Sequence, residues 1–193
     1  MILVIDTSSA RSAVGLVDPD TVRAEELQFD SRETPIATQF PHISNDVRLT
    51  KIAVATGPGS FTGVRAGVSF GLGLAIGLRI PIVPLPTLAI QAARTEEPVL
   101  AVSEAGRGRV YFQPPGGKPA VGEPHDLPRD HEVVGWVRPP TERSMVAAGL
   151  RFRPETHLAR WIDGARKVLE TAHEVPYRNL EIEYMQSFSA PRK

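Results

Sequence analysis

One segment restricts the possible folds of this chain more than any other. An aliphatic run, Ile52 to Ala55, leads through the turn Gly57-Pro58-Gly59-Ser60-Phe61-Thr62-Gly63 into a stretch where Gly63, Gly67, Gly71 and Ala75 recur every four residues. Residues spaced by three or four share one face of a helix, so the pattern predicts a buried strand, a tight turn and a helix notched along one side. Each interior glycine costs about 1 kcal/mol relative to alanine. Close approach of another element to the notch offsets that loss. Packing inside the chain and a helix bundle with another chain both achieve it, and Phe70, Leu72 and Leu74 beside the stripe suit either.

The turn itself has the form of an anion cradle: glycines admit close backbone approach, and free amides at a helix start point at negative charge. Two nucleotide-binding patterns nevertheless fail. A P-loop requires Lys and Ser or Thr directly after its last glycine, whereas Val64 and Arg65 follow Gly63. A dinucleotide fold requires an acid about 20 residues onward, where Leu78, Arg79 and Ile80 stand. Asp6, Thr7 and Ser8, after the aliphatic run Ile2 to Ile5, read either as a strand-ending turn or as the remnant of a first phosphate loop. The glycines such a loop needs are missing beside Asp6, which favours the turn.

Forty-one per cent hydrophobic and 23% charged residues predict a packed globular chain rather than a disordered one. Lys plus Arg and Asp plus Glu number 22 each, so no overall field draws the protein to nucleic acid or to an acidic membrane. Without cysteine there is no disulfide, thiolate metal site or cysteine nucleophile. No signal peptide is visible at the start, and the uncharged run from Arg65 to Arg79 falls short of the roughly 20 residues that span a bilayer. The expectation is a cytoplasmic protein with no membrane contact.

Ile2 to Ile5, Ser12 to Val17 and Val22 to Phe29 predict a strand meander turning at Asp18, Pro19 and Asp20. Thr34 to Val47 reads as a short interrupted helix, Ile80 to Leu85 as a strand, and Thr87 to Arg94 as a helix capped by Thr87. A boundary near Pro98 divides the chain into residues 1–97 and 98–193, and the second part opens like the first, with strands at Val99 to Val102 and Arg109 to Gln113. Pro114 to Pro128 reads as a loop, Val133 to Val137, Met145 to Ala148 and Ile182 to Gln186 as strands, and Pro154 to Ala172 as a helix that could pack back on the first part.

No catalytic or metal-binding set is complete. The five histidines include no pair at helical ligand spacing, and the mixed cluster His125, Asp126, Asp130, His131 and Glu132 lies in a Pro-rich stretch typical of solvated loops. Ser60 has no His or acid at defined spacing to activate it. Arg107, Arg109, Arg151 and Arg153 could touch RNA but more commonly form a solvated face.

ILVIDTS at Ile2 to Ser8, GPGSFTGVRAG at Gly57 to Gly67 and Pro86-Thr87-Leu88 together resemble the family of the bacterial tRNA threonylcarbamoyladenosine biosynthesis protein TsaB, also called YeaZ. The resemblance covers residues 1 to 95 well and the remainder weakly. It implies an α/β, actin/Hsp70-like (ribonuclease H-like) fold of two related lobes with mixed sheets flanked by helices. It further implies a non-catalytic scaffold that dimerises with the catalytic paralogue TsaD, which attaches threonylcarbamoyl to the adenosine beside the tRNA anticodon. A TsaE-like ATPase joins them, tRNA is reached through the complex, and a homodimer forms when the partner is absent. No cofactor is expected in this chain, with ATP and metal held by the partner subunits. The implied partner interface is Gly63, Gly67, Phe70, Gly71, Leu74 and Ala75, and the vestigial phosphate loops are Asp6, Thr7, Ser8, Gly57, Gly59, Ser60 and Gly63. The alternative is a nucleotide-binding ATPase or kinase-like enzyme of the same superfamily. Ser31 to Asp46 is shorter than the family's segment and lacks its histidine near Glu33, implying a reduced interface helix. Glu104-Ala105-Gly106-Arg107 stands in place of the family's Asp-Ala-Arg, and Tyr184-Met185-Gln186 in place of its Tyr-Leu-Arg.

Overall fold

Successive side chains on a strand point to opposite faces, so a strand apolar at every position needs cover on both sides. Ile2–Asp6 (β1) sends Leu3 and Ile5 into one apolar cluster and Val4 into another. The computed structural model, which describes residues 1–9, 11–18, 20–29 and 47–185, supplies both covers. β1 pairs antiparallel with Arg11–Val17 (β2), which pairs antiparallel with Val22–Phe29 (β3). On its other edge β1 runs parallel to Lys51–Gly57 (β4), which runs parallel to Ile82–Pro86 (β5), giving the order β3-β2-β1-β4-β5. Leu100–Gly106 (β6), Arg109–Gln113 (β7), Ala120–Gly122 (β8) and Val133–Trp136 (β9) form a second sheet ordered β8-β7-β6-β9. Its pairings repeat those of the first sheet, two antiparallel and then one parallel, with no fifth strand among the described residues. Beside β9, a single bridge joins Val133 to Phe152 among the described residues.

Among the described residues four helices cover these sheets: Phe61–Leu78 (α1), Thr87–Ala92 (α2), Pro139–Ala147 (α3) and Trp161–Leu169 (α4). α1 covers one face of the first sheet, with Val64, Val68 and Ala75 against Leu3, Ile5, Ile52 and Val54. On the opposite face Ile90 of α2 and Trp161, Ile162 and Ala165 of α4 meet Val4, Ala53 and Leu85. α2 also faces the second sheet, where Leu88 meets Ala101 and Tyr111, while Met145 of α3 packs on Leu100 and Val102.

Several expectations need correction. Met145 to Ala148 is the end of α3 and its cap rather than a strand, because Pro139 at the first helical position sets up a helix whose Met145 fills the core. The stretch from Pro114 to Pro128 contains β8 and a short 3-10 turn at Pro124–Asp126. The helix expected over Pro154 to Ala172 is only Trp161–Leu169, preceded by a 3-10 turn at Glu155–His157. Ile182 to Met185 is not a strand, although Glu183 N donates to Thr56 O at 2.9 Å. Thr87 is inside α2 and not its cap: the chain leaves β5 through Pro86 directly into the helix, and the buried Thr87 hydroxyl has no partner among the described residues. Most of Thr34 to Val47, all of Ser31 to Asp46, His42 and Gln186 lie outside the described residues.

A polar cluster ties the two sheets together. Arg94, 4% exposed, is ion-paired with Glu155, which also accepts from the Trp136 indole at 3.0 Å and lies 3.4 Å from Arg11. Arg94 further donates to Ala159 O at 3.0 Å and Gln91 Oε1 at 3.2 Å. Arg11 comes from the first sheet and Trp136 from the second, so Glu155 holds both through charge-assisted hydrogen bonds. Partial burial works against ionisation of Glu155, but hydrogen bonds and charge from Arg94, Trp136 and Arg11 outweigh it and lower its pKa below the ordinary 4.5. A lowered carboxylate pKa adds stability above the ordinary value and loses it as the pH falls through that value toward the folded one. Urea denaturation should therefore find Glu155→Gln less stable than wild type by about 1–2 kcal/mol near neutral pH, moderated by the half-exposed carboxylate. The difference should shrink below pH 4.5; a pH-independent difference would assign the effect to packing.

Candidate functional site

The turn and α1 meet the loop after β1, and together they make the candidate site. Ser60 caps α1, its Oγ accepting from Gly63 N at 3.3 Å, and Arg79 closes the helix in a left-handed conformation (φ 55°) with its N–H bonded to Ala75 and Ile76 carbonyls. Glycine is the usual residue there. Tyr177 reinforces that end, its hydroxyl lying 3.1 Å from Ala75 O and 2.8 Å from Ile80 O.

The glycine stripe faces inward. A Cβ on Gly67 would collide with Thr7 Oγ1, one on Gly71 with Val54 Cγ1, and one on Gly63 with Thr7 O. Gly67, Gly71 and Ala75 are buried, and Phe70 and Leu74 are half-buried against the same cluster. Of the expected partner surface of Gly63, Gly67, Phe70, Gly71, Leu74 and Ala75, the buried Gly67, Gly71 and Ala75 are thus corrected: β1 and β4 fill the notch, because backbone approach to a sheet recovers the helix cost within the chain, while Gly63, Phe70 and Leu74 stay partly exposed. By length and composition alone α1, with a mean hydropathy of 1.4, meets the criterion for crossing a membrane; here it is seated on the first sheet.

The opposite face carries what a partner could reach. Phe61, Arg65, Ser69, Leu72 and Ile76 follow one another at spacings of four and three and so share a face. Phe61 and Ile76 are 45% and 52% exposed, Leu78 at the very end of the helix is 51% exposed, and Gly73 and Gly77 have open space where a Cβ would stand. Arg65 is the only charged residue of the helix.

The paired loops touch each other directly. Ser60 N donates to Ser8 O at 2.6 Å, Thr7 Oγ1 donates to Gly63 O at 2.6 Å, and a Cβ on Gly59 would meet Ser8 O. Pro58 O accepts from Ser103 of the second sheet at 2.8 Å. Asp6 accepts from Ser8 N at 2.8 Å and from the Trp161 indole at 3.2 Å. Burial pushes its carboxyl above the usual range against those hydrogen bonds. Asp6, Thr7, Ser8, Gly57, Gly59, Ser60 and Gly63 are therefore brought together, with Asp6 serving as a turn and core acceptor and several of their polar groups bonded to one another. The hydroxyl of Ser8 is buried beside the Asp6 carboxyl, whose pKa it helps to lower against the effect of burial, without meeting full hydrogen-bond geometry to any described residue.

Sequence reasoning missed two carboxylates that cap helices from a distance. Glu104 is buried and accepts from Arg138 N at 3.0 Å and Thr141 Oγ1 at 2.9 Å at the start of α3. Glu25 accepts from Ile162 N at 3.0 Å at the start of α4. Neither helix has a capping side chain of its own, since Arg138 and Arg160 occupy the cap positions, and that local vacancy was the only available signal. Among the described residues no group of three or more His, Cys, Asp or Glu could hold a metal ion; His125 and His131 pair only with neighbouring acids.

Residues 43–159 match the model of a family described as TsaD: tRNA N6-adenosine threonylcarbamoyltransferase. The chain is 38% identical over 120 residues to the tRNA threonylcarbamoyladenosine biosynthesis protein TsaB of Bacillus subtilis, covering 57% of this chain and 52% of that protein. It is 34% identical over 122 residues to the TsaB of Escherichia coli, covering 58% and 53%. The chain thus spans about half the length of the curated relatives it matches. A solved structure, YeaZ from Pseudomonas aeruginosa, superposes with a TM-score of 0.69 at 22% identity, covering 95% of this chain and 98% of that one. The two mixed, helix-flanked sheets fit the actin/ribonuclease H-like fold.

The inward stripe and outward glycines predict opposite responses to substitution. Gly67→Leu and Gly71→Leu should destabilise the isolated chain by at least about 1–3 kcal/mol through overpacking. Gly73→Ala should stabilise it by up to about 1 kcal/mol. Chemical denaturation checks both, and a stable Gly71→Leu variant would contradict the packing.

Proposed function

This chain belongs to the TsaB (YeaZ) family, inside the wider TsaD-type family whose model it matches, and on that premise we propose that it is a non-catalytic subunit in tRNA threonylcarbamoyladenosine formation. It docks on a TsaD-type catalytic paralogue through the outer face of α1. The observation that carries the reading is that face: an 18-residue helix whose inner stripe is used by its own sheet and whose outer side leaves Phe61 and Ile76 half-exposed around one charge. Apolar surface of that kind gains by burial, at about 25 cal/mol per Å² of area removed from water. Gly73 and Gly77 leave room for a second helix to approach closely. A second copy of the chain occupies the same face when the catalytic subunit is absent.

The loops support the division of labour. Ser8 and Ser60, and Thr7 and Gly63, bond to each other across the place where two phosphate loops would hold a ligand between them. In this reading ATP and metal are held by the catalytic subunit and a TsaE-type ATPase, and tRNA is reached through the complex in the cytoplasm. Residues 1–97 carry the docking helix and residues 98–193 form a second lobe whose α4 packs back on the first sheet.

Ile76→Asp places a charge on the docking face without touching the core, and should leave the monomer folded while weakening association with the TsaD-type subunit by at least about tenfold. Calorimetric titration of the two subunits, with thermal denaturation of the variant alone, makes the comparison. Undiminished affinity would remove this face as the docking surface. The alternative, a nucleotide-dependent enzyme built on Asp6 and Gly57 to Gly63, requires the isolated chain to bind and turn over magnesium-ATP and to lose both in Asp6→Ala.

A further inference from the structure

The outer line along α1 carries one charge, Arg65, and the surroundings of this side chain are specific. Its guanidinium lies 3.8 Å from the Phe61 ring centroid and 5.5 Å from that of Tyr184, and its Nε donates to the Tyr184 hydroxyl at 2.9 Å. The two rings are themselves 5.9 Å apart. Tyr184 is brought there by a strap of chain that runs the length of α1. Val175 N bonds to Ile82 O, Tyr177 reaches the C-terminal end of the helix, Leu180 and Ile182 pack against its cluster, and Glu183 N bonds to Thr56 O. Three planar groups are thereby held at the exposed start of the docking helix. Among the described residues Arg65 has no carboxylate partner, and no hydrogen bond of its other guanidinium nitrogens is found there.

A guanidinium oriented by two rings and one hydrogen bond loses little side-chain freedom when it meets an acceptor, and its planar fork matches a carboxylate. A lone charge in an apolar face costs affinity when buried unpaired and adds specificity when paired. We propose that Arg65, positioned by Phe61 and Tyr184, is the charged anchor of the docking face, and that it pairs with an Asp or Glu side chain of the TsaD-type subunit. The anchor sets where along α1 the partner helix sits, while the apolar residues toward Ile76 supply the contact area. This rests on the docking reading above and adds the chemistry that the partner must present.

The test is calorimetric titration of the full chain with the TsaD-type subunit, without and with tRNA, between about 50 and about 500 mM NaCl. Wild type is compared with Arg65→Gln, Arg65→Lys, Tyr184→Phe and Ile76→Asp, and each variant is checked for folding by thermal denaturation. Arg65→Gln should weaken binding by at least about tenfold and flatten the salt dependence. Arg65→Lys should restore the salt dependence with only part of the affinity, and Tyr184→Phe should weaken binding several-fold through loss of the Nε contact. Ile76→Asp should lower affinity across the whole salt range, because the lost apolar contact is not restored by screening. Wild-type affinity and slope in Arg65→Gln, beside impaired Ile76→Asp, would overturn the anchor and leave the docking face standing. Loss in Arg65→Gln with unimpaired Ile76→Asp would overturn the docking face as drawn and with it the role of Arg65 as its anchor, and wild-type behaviour in both would reject the two together. An Arg65→Gln effect that needs tRNA would make the anion an RNA phosphate and overturn the assignment. Should Arg65→Gln fail to fold, Arg65→Lys and Tyr184→Phe decide by the same criteria.

Discussion

Close packing of α1 on β1 and β4 is the contact on which the rest of the molecule depends. Without Cβ atoms at Gly63, Gly67 and Gly71, the helix comes near enough for Thr7 and Val54 to fill its notch and for Thr7 to bond Gly63 O. The same approach brings Ser60 to Ser8, so the loop after β1 and the turn after β4 become a single hydrogen-bonded unit. A helix held by its backbone rather than by long side chains is fixed in depth and rotation, because dense packing leaves few alternatives. Its outer residues are consequently presented in one arrangement.

The other helices are held by groups far away in sequence. Glu104 on the second sheet caps α3, and Glu25 on the first caps α4. A carboxylate near a helix start satisfies unpaired amides and interacts favourably with the helix dipole. Arg94 and Glu155 add a further tie in which both sheets participate through Trp136 and Arg11. The halves of the chain therefore interlock: α4 belongs by sequence to the second half but completes the core beneath Val4 and Leu85.

These contacts restrict where activity could reside. The loops that could have faced a ligand are engaged with each other, and Asp6 is committed to Ser8 and Trp161. The outer side of α1, by contrast, exposes apolar groups beside an oriented guanidinium. A surface with that composition suits association more than chemistry, and membership of one family with a catalytic transferase gives the partner its identity in the proposal.

The sequence by itself determined most of the strand and turn pattern and the notched helix, since these rest on spacing between near neighbours, and its motifs at Ile2 to Ser8 and Gly57 to Gly67 carried the family resemblance. Ile2 to Phe29, Ile52 to Leu85 and the second opening at Val99 were legible because strand and helix periods are local properties. It did not determine which element would occupy the notch. The same stripe serves a sheet or a partner helix equally well, and only β1 lying beside β4 decided for the sheet. Met145 read as a strand because a short apolar run has no decisive period, and α3 became a helix where Glu104 could cap it and Leu100 could cover it. Glu25, Glu104 and Glu155 are inconspicuous acids in the sequence, because their roles come from partners many residues away that only the folded chain brings within hydrogen-bonding distance.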